Sequence, residues 1–189
     1  TGVKGIILSG GPATVTKKKF PSISKEVFLK NIPILGICYG LQLITKLFGG
    51  RIKTLRKKRE FGRAILYKKN KSLLIKNFFT TKKKLVWMSH QDAVIKLPKN
   101  FRIIASTKNS KLTIIENSLK KIYGIQFHPE ITHTENGTQI FENFLFSICK
   151  VKKKWRLISE KNRLIDEIKN TVKKDKVICA LSGGVDSSV

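Results

Sequence analysis

Cys38 lies between two glycines in the segment Gly36–Gly40, and a thiol in that setting could act as a nucleophile. An apolar run, 32–35, precedes this segment and a helix-like segment, Leu41–Leu47, follows it. That order predicts a sharp strand-to-helix turn whose tip exposes the nucleophile. The first N–H groups of the helix carry partial positive charge, so we expect them to lower the pKa of the Cys38 thiol. The alternative is a free cysteine that is only a small buried hydrophobe.

A histidine and a carboxylate follow a second apolar run further along the chain. Tyr123–Phe127 reads as a buried strand that ends at His128-Pro129. Proline holds the preceding residue in an extended conformation, so the His128 ring is presented from a fixed backbone. Glu130 can reach one ring nitrogen and set the tautomer of the other. Together with Cys38, these residue types could act as nucleophile, base and orienting group in acyl transfer.

A double glycine lies at the end of the first apolar run, Lys4–Leu8. Gly10 and Gly11, followed by Pro12, would let backbone N–H groups point inward at a developing oxyanion. An ordinary β-turn is the alternative interpretation, because Gly-Gly-Pro is also typical of turns.

Together these three segments resemble the class I glutamine amidotransferases, and the resemblance covers residues 2 to about 150. It implies that glutamine is cleaved through a γ-glutamyl thioester, with Cys38 as nucleophile, His128 as base and acid, and Glu130 as orienting partner. It also implies that the backbone N–H groups of Gly11 and Tyr39 form the oxyanion hole.

The same resemblance implies a glutamine pocket. Gln42, one helical turn beyond the cysteine, and Ser89 and His90 correspond to positions that border this pocket in relatives. Gln91 is a departure from the family pattern, since relatives commonly carry glycine there.

A second motif follows the apolar run Lys176–Leu181, which predicts a buried strand. This motif, S-G-G-V-D-S-S, lacks the lysine of a P-loop, but its glycines and hydroxyls suit a phosphate-binding turn at a helix start. S-G-G-x-D-S-S resembles the ATP pyrophosphatases, which cleave ATP to AMP and pyrophosphate. The resemblance implies a pyrophosphate-binding loop, with Asp186 contributing to a Mg²⁺ site. The loop residues are Ser182, Gly183, Gly184, Val185, Asp186, Ser187 and Ser188.

An amidotransferase followed by this loop is similar to the glutamine-hydrolysing GMP synthase family, which Arg59–Gly62 and Thr132–Thr134 also resemble. The implied reaction is amination of XMP to GMP by a ligase whose substrates are glutamine, XMP and ATP. ATP and Mg²⁺ are implied for the complete enzyme, and no cofactor for glutamine hydrolysis. We expect the chain to be a fragment whose homodimer-forming C-terminal domain is absent.

The chain is strongly basic, with 39 Lys and Arg, 12 Asp and Glu, and a net charge of +27. Such a balance is typical of nucleic-acid partners. The excess is mainly lysine in short scattered runs, whereas arginine is the better reader of phosphate and guanine, so we expect no specific nucleic acid. Two alternatives stay open: a tRNA-modifying ATP pyrophosphatase with a basic RNA-binding surface, and another triad glutamine amidotransferase.

The alternation of apolar runs predicts an α/β fold, with a mixed, mostly parallel sheet flanked by helices and an antiparallel patch near 60–117. We expect an amidotransferase domain over 1–154 and the first helix and strand of a pyrophosphatase domain over 155–189. No apolar run reaches membrane-spanning length and no segment has a signal-peptide pattern, so we expect no membrane contact and a cytoplasmic location. The predicted strands are Val3–Leu8, Pro33–Ile37, Gly62–Leu66, Lys84–Trp87, Ala93–Leu97, Phe101–Ser106, Thr113–Asn117 and Tyr123–Phe127; the predicted helices are Ser22–Lys30, Leu41–Phe48, Gly137–Cys149 and Trp155–Lys174.

Overall fold

A computed structural model describes residues 2–55, 59–153 and 157–178. The chain divides into two compact units, 1–152 and 153–189. The predicted loop Ser182–Ser188 lies outside the described residues. A strand was predicted over Lys176–Leu181. Its first three residues, Lys176–Ile178, have no regular secondary structure, and the rest of it also lies outside the described residues.

The first unit is built on two sheets. Seven strands form the larger sheet in the order β1-β2-β9-β8-β7-β4-β5, and β3 pairs with β6 in the smaller one. All eight predicted strands of this unit are found, and β3 was missed because its residues are mostly exposed. The strands are β1 Ile6–Leu8, β2 Ile34–Ile37, β3 Arg51–Thr54, β4 Glu60–Lys68, β5 Lys83–His90, β6 Asp92–Lys96, β7 Arg102–Ser106, β8 Ile114–Asn117 and β9 Ile122–Ile125.

The larger sheet is mixed, as predicted, but it is not mostly parallel. Among the described strands only the β1–β2 and β2–β9 pairings are parallel. The β9–β8, β8–β7, β7–β4 and β4–β5 pairings are antiparallel. Short connections join β7 to β8 and β8 to β9, and a short connection can only join antiparallel neighbours. The antiparallel part predicted near 60–117 therefore extends as far as β9.

Helices lie close to the predicted positions. The segment predicted over Gly137–Cys149 begins as an α-helix and continues as a π-helix over Asn143–Ile148. The segment predicted over Ser22–Lys30 is a 3-10 helix, Lys25–Leu29, and a further 3-10 helix covers Leu73–Ile75. The α-helices are α1 Tyr39–Leu47, α2 Thr138–Glu142 and α3 Leu157–Val172.

The larger sheet has a buried core on each face. On one face, Leu41 and Ile44 of α1 pack with Ile34 and Ile122. On the other face, a second cluster contains Phe78, Phe127 and Phe144. The strands β2, β9 and β8 are buried along their whole length, whereas β1 at the edge of the sheet is partly exposed. No helix of the described residues is long and apolar enough to span a membrane.

Candidate active site

Cys38 occupies a strained turn between β2 and α1. Its backbone has φ 51° and ψ −100°, a conformation that side-chain-bearing residues rarely adopt. The Cys38 N–H donates to the carbonyl of Ile125 at 2.7 Å, and its own carbonyl accepts from the N–H of Gln42 at 3.2 Å. A Cβ on Gly36 would meet the Gly40 carbonyl, so only glycine permits this close approach of strand and helix. The predicted strand-to-helix turn is therefore found, but the prediction that its tip exposes the cysteine is wrong, because Cys38 is buried.

His128 lies at the same sheet edge as Cys38. Because β2 and β9 are parallel neighbours with Ile37 opposite Ile125, the residues that follow both strands meet at one edge. The N–H of His128 donates to the carbonyl of Trp87 at 3.0 Å. The hydroxyl of Thr134 donates to the His128 carbonyl at 2.6 Å. The backbone that carries the ring is thus held from both sides.

Glu130 binds the ring of His128. The distance between Nδ1 and Oε1 is 2.6 Å, and the side chains are 14% and 47% exposed. This contact leaves Nε2 as the ring nitrogen that is able to accept a proton from another group. A Cβ built on Gly10 would lie 2.9 Å from Cε1 of His128 and 3.6 Å from Cβ of Cys38, so both side chains border the same small space. Within the described part of the chain, no direct hydrogen bond joins the Cys38 thiol to the ring.

The thiol of Cys38 is buried and has polar neighbours. Sγ donates to the carbonyl of Ser89 at 3.7 Å and accepts from Nε2 of Gln126 at 3.6 Å. Burial raises the pKa of Cys38 from 9.0 to about 11, although hydrogen bonds from the Tyr39 N–H and the Gln126 amide oppose that rise. The predicted lowering of this pKa is therefore wrong for the protein without substrate, because the loss of water around a thiol that is 6% exposed outweighs the helix start.

A cavity of about 400 Å³ opens in front of Cys38. The lining contains every residue predicted for the oxyanion hole and the glutamine pocket, and Gln91 also reaches it. The lining residues are Gly11, Pro12, Ala13, Thr14, Cys38, Tyr39, Gln42, Thr54, Phe61, Ser89, His90, Gln91 and Asp92.

Gln42 and His90 have partners within the protein. Nε2 of Gln42 and Nδ1 of His90 each lie 3.0 Å from the carbonyl oxygen of Asp92. Nε2 of His90 lies 3.1 Å from Glu60, and Glu60 also accepts from the Thr107 hydroxyl at 2.7 Å. Both ring nitrogens of His90 are thus occupied, and these contacts hold the segment that lines the cavity.

Sequence reasoning missed two residues of this site. Asp92 accepts hydrogen bonds from the hydroxyls of Thr14 and Thr54, which ties the loop after β1 to the smaller sheet. Gln126 reaches the thiol itself. Gln126 could have been found from its position, because it directly follows β9 just as Cys38 directly follows β2. Asp92 could have been found as an isolated acidic residue beside the segment Ser89-His90-Gln91.

Comparison with known families gives a match to the family model "Glutamine amidotransferase class-I" over residues 1–148. Similar proteins include the GMP synthase [glutamine-hydrolyzing] of Brachyspira hyodysenteriae, 48% identical over 98% of this chain and 36% of the relative. The protein of the same name from Thermosipho melanesiensis is 50% identical over 97% of this chain and 35% of its own length. The chain therefore spans about a third of the length of these relatives.

Solved structures show the same fold. A protein from Thermoplasma acidophilum that is described as one subunit of a GMP synthase is 30% identical with a TM-score of 0.66, over 88% of this chain and 77% of that chain. A glutamine amidotransferase from Thermotoga maritima is 21% identical with a TM-score of 0.52, over 79% of this chain and 60% of that one, which is a likeness of fold alone.

Proposed function

The chain belongs to the class I glutamine amidotransferase family, and from this premise we propose that it hydrolyses glutamine at Cys38. The observation that supports the proposal is that Cys38 and His128 follow the neighbouring parallel strands β2 and β9, with Glu130 bound to the His128 ring and a cavity in front of Cys38. A cysteine, a histidine and an orienting carboxylate are the groups that acyl transfer through a thioester requires.

In the first half of the reaction, glutamine enters the cavity and its side-chain carbonyl carbon is attacked by Sγ of Cys38. The thiol proton passes to Nε2 of His128, whose other nitrogen is held by Glu130. Transfer to the ring is needed because the buried thiol, with its pKa near 11, is neutral at physiological pH. The ring then gives this proton to the leaving nitrogen, so that ammonia departs and the γ-glutamyl thioester remains.

In the second half, water attacks the thioester carbonyl and yields glutamate and the free thiol. His128 accepts the proton of water and returns it to Sγ. In both halves a negative charge develops on the former carbonyl oxygen. The N–H of Tyr39 at the start of α1 and the N–H of Gly11 on the cavity wall are the donors we assign to that charge.

Ammonia release from glutamine tests this assignment. The protein should release ammonia and glutamate, and Cys38→Ala should abolish the activity while the thermal unfolding temperature stays close to that of the parent. Mass spectrometry of the quenched reaction should find a γ-glutamyl adduct on the peptide that contains Cys38. Turnover that survives in Cys38→Ala would place the nucleophile elsewhere.

We propose further that the complete protein uses this ammonia to convert XMP to GMP, with ATP cleaved to AMP and pyrophosphate. Similarity to GMP synthases over nearly the whole chain supports this, as does the S-G-G-V-D-S-S segment, Ser182–Ser188. In that segment Asp186 would contribute to a Mg²⁺ site and the hydroxyls and amides to pyrophosphate binding. These residues lie outside the described part of the chain, so sequence and similarity are what support the second proposal.

The full-length protein tests this second proposal. Asp186→Ala should abolish GMP formation from XMP, ATP and added ammonia, whereas glutamine hydrolysis at Cys38 continues. Cys38→Ala should show the reverse pattern, with GMP formed from ammonia but not from glutamine. Loss of both activities in each variant would contradict the division into two sites.

A further inference from the structure

Gln126 is a wholly buried side chain that the mechanism above does not use. It directly follows β9, and its N–H donates to the carbonyl of Thr113 at 2.9 Å, which fixes its backbone. Its side-chain Nε2 lies 3.6 Å from Sγ of Cys38. Its Oε1 is buried with no hydrogen-bond partner among the described residues. Among the described residues, therefore, only one of the two polar atoms of the amide has a partner, and that partner is the nucleophile.

Burying an amide with an unpaired oxygen destabilises a folded protein, whereas an apolar side chain of the same shape would not. Buried polar atoms in native proteins nearly always have a hydrogen-bond partner, so an unpaired one calls for a reason other than packing. The contact with Cys38 provides one, because a hydrogen bond to an ionised acceptor is markedly stronger than one to a neutral acceptor. The hydrogen bond from the Gln126 amide to Sγ is therefore stronger after the thiol has lost its proton.

The groups around Sγ fall into two sets with opposite effects. The Ser89 carbonyl accepts from the thiol and so stabilises its neutral form. The carboxylates of Asp92 and Glu130 also disfavour the thiolate, and burial does so most strongly. Only the Tyr39 N–H and the Gln126 amide, within the described residues, act to stabilise the thiolate by donating to it. The Tyr39 N–H is also the donor assigned above to the oxyanion, so Gln126 is the donor that serves the sulfur alone.

We propose that Gln126 is a catalytic residue that donates from Nε2 to the thiolate of Cys38 while the thiol proton resides on His128. The amide keeps its own protons throughout, and the electron pair that attacks glutamine stays on sulfur. The catalytic consequence rests on the proposed glutamine hydrolysis. The effect on the thiol itself does not, because it is a property of the protein without substrate.

Alkylation of Cys38 by iodoacetamide tests the proposal. The rate is followed by mass spectrometry of the Cys38 peptide between about pH 7 and pH 10, since the thiolate is the reactive form. In Gln126→Met, which keeps the length of the side chain and removes its donor, we expect alkylation at each pH to be about tenfold slower, because one lost charge-assisted hydrogen bond corresponds to a pKa increase of about one unit.

The sign of the effect separates this role from a structural one. If Gln126→Met only loosened the packing, water would reach Sγ, the thiol pKa would fall toward 9.0 and alkylation would become faster. Gln126→Leu is a second variant that also lacks the donor, and it should slow alkylation to a similar extent. Unchanged or faster alkylation in both variants would overturn the proposal.

Thr45→Val is the matched control. Thr45 lies on α1, is wholly buried, and its hydroxyl also has no partner among the described residues, but it does not contact Sγ. Its alkylation profile should coincide with that of the parent. Glutamine turnover by the same variants is then measured separately. Slower alkylation in the Gln126 variants, together with no glutaminase activity in the parent, would support the hydrogen bond from Gln126 to the thiolate and reject the proposed function.

Discussion

Two histidine–glutamate pairs lie on the same part of the fold, and they differ in whether a nitrogen of the histidine ring remains available for proton transfer. His128 is bound to Glu130 at the sheet edge, with the side chains 14% and 47% exposed. His90 is bound to Glu60 across the β4–β5 ladder, with the side chains 1% and 6% exposed. In the buried pair both ring nitrogens are occupied, by Glu60 and by the Asp92 carbonyl. In the pair at the sheet edge Glu130 holds Nδ1, and Nε2 has no hydrogen-bond partner among the described residues.

The comparison separates proton transfer from anchoring. A ring can move a proton only when one nitrogen is oriented and the other is available, which describes His128. A ring with both nitrogens bound in the core instead fixes the backbone around it, which describes His90. Since His90 adjoins Ser89, whose carbonyl meets Sγ, the buried pair acts on the nucleophile through the chain and not by contact. Substitutions that remove one feature of each pair test this distinction.

The largest effect is expected for His128→Ala. Ammonia release from glutamine should fall by about three orders of magnitude or more, because the neutral thiol then has no base to take its proton. The free energy of unfolding should change by less than about 1 kcal/mol, since the ring is partly exposed and its pair is a surface one. Steady-state kinetics and urea unfolding of the same preparation measure the two quantities. Glutamine turnover close to that of the parent would remove His128 from the mechanism.

The reverse pattern is expected for the buried pair. Glu60→Ala should lower the free energy of unfolding by about 3 kcal/mol, because it leaves the buried Nε2 of His90 without its partner and removes one of the partners of the Thr107 hydroxyl. Turnover per folded molecule should fall less than tenfold. Glu60→Gln is the control, since its amide retains oxygen and nitrogen atoms for both contacts and should recover most of the stability. Equal unfolding curves for Glu60→Ala and the parent would contradict the anchoring role.

The two pairs were not equally accessible from sequence. Glu130 was predicted to contact His128 because it lies only two residues further along the chain. The partnership of Glu60 with His90 depends on the register of β4 and β5, and an apolar pattern does not specify register between distant segments. His90 was therefore predicted to border the glutamine pocket, but its contact with Glu60 was not predicted. The thiol pKa of Cys38 was misjudged for a related reason, because desolvation arises from packing around Sγ that no local pattern contains.

A smaller effect is expected for Glu130→Gln. The amide can still hold Nδ1 of His128, but it does not stabilise the imidazolium that forms during catalysis, so kcat should fall about 10- to 100-fold. The value of KM should change little, because Glu130 does not line the cavity. The unfolding free energy should stay within about 0.5 kcal/mol of the parent, as for other exposed pairs. A decrease as large as that of His128→Ala would mean that Glu130 itself takes part in proton transfer.

The smallest effects are expected for the threonine hydroxyls that support the two pairs. Thr134 donates to the His128 carbonyl and accepts from the Trp87 N–H at 3.0 Å, whereas Thr107 donates to Glu60. Valine at either position keeps the shape and removes the hydroxyl, so each variant should lose about 1 kcal/mol of stability. Only Thr134→Val alters the backbone that orients the His128 ring. Because a small displacement of a catalytic group lowers the reaction rate strongly, kcat of this variant should fall several-fold. Thr107→Val should keep the kcat of the parent at a temperature where both variants are fully folded. If the two variants lost kcat equally, the buried pair would be as close to the chemistry as the exposed one, and the distinction between anchoring and proton transfer would fail.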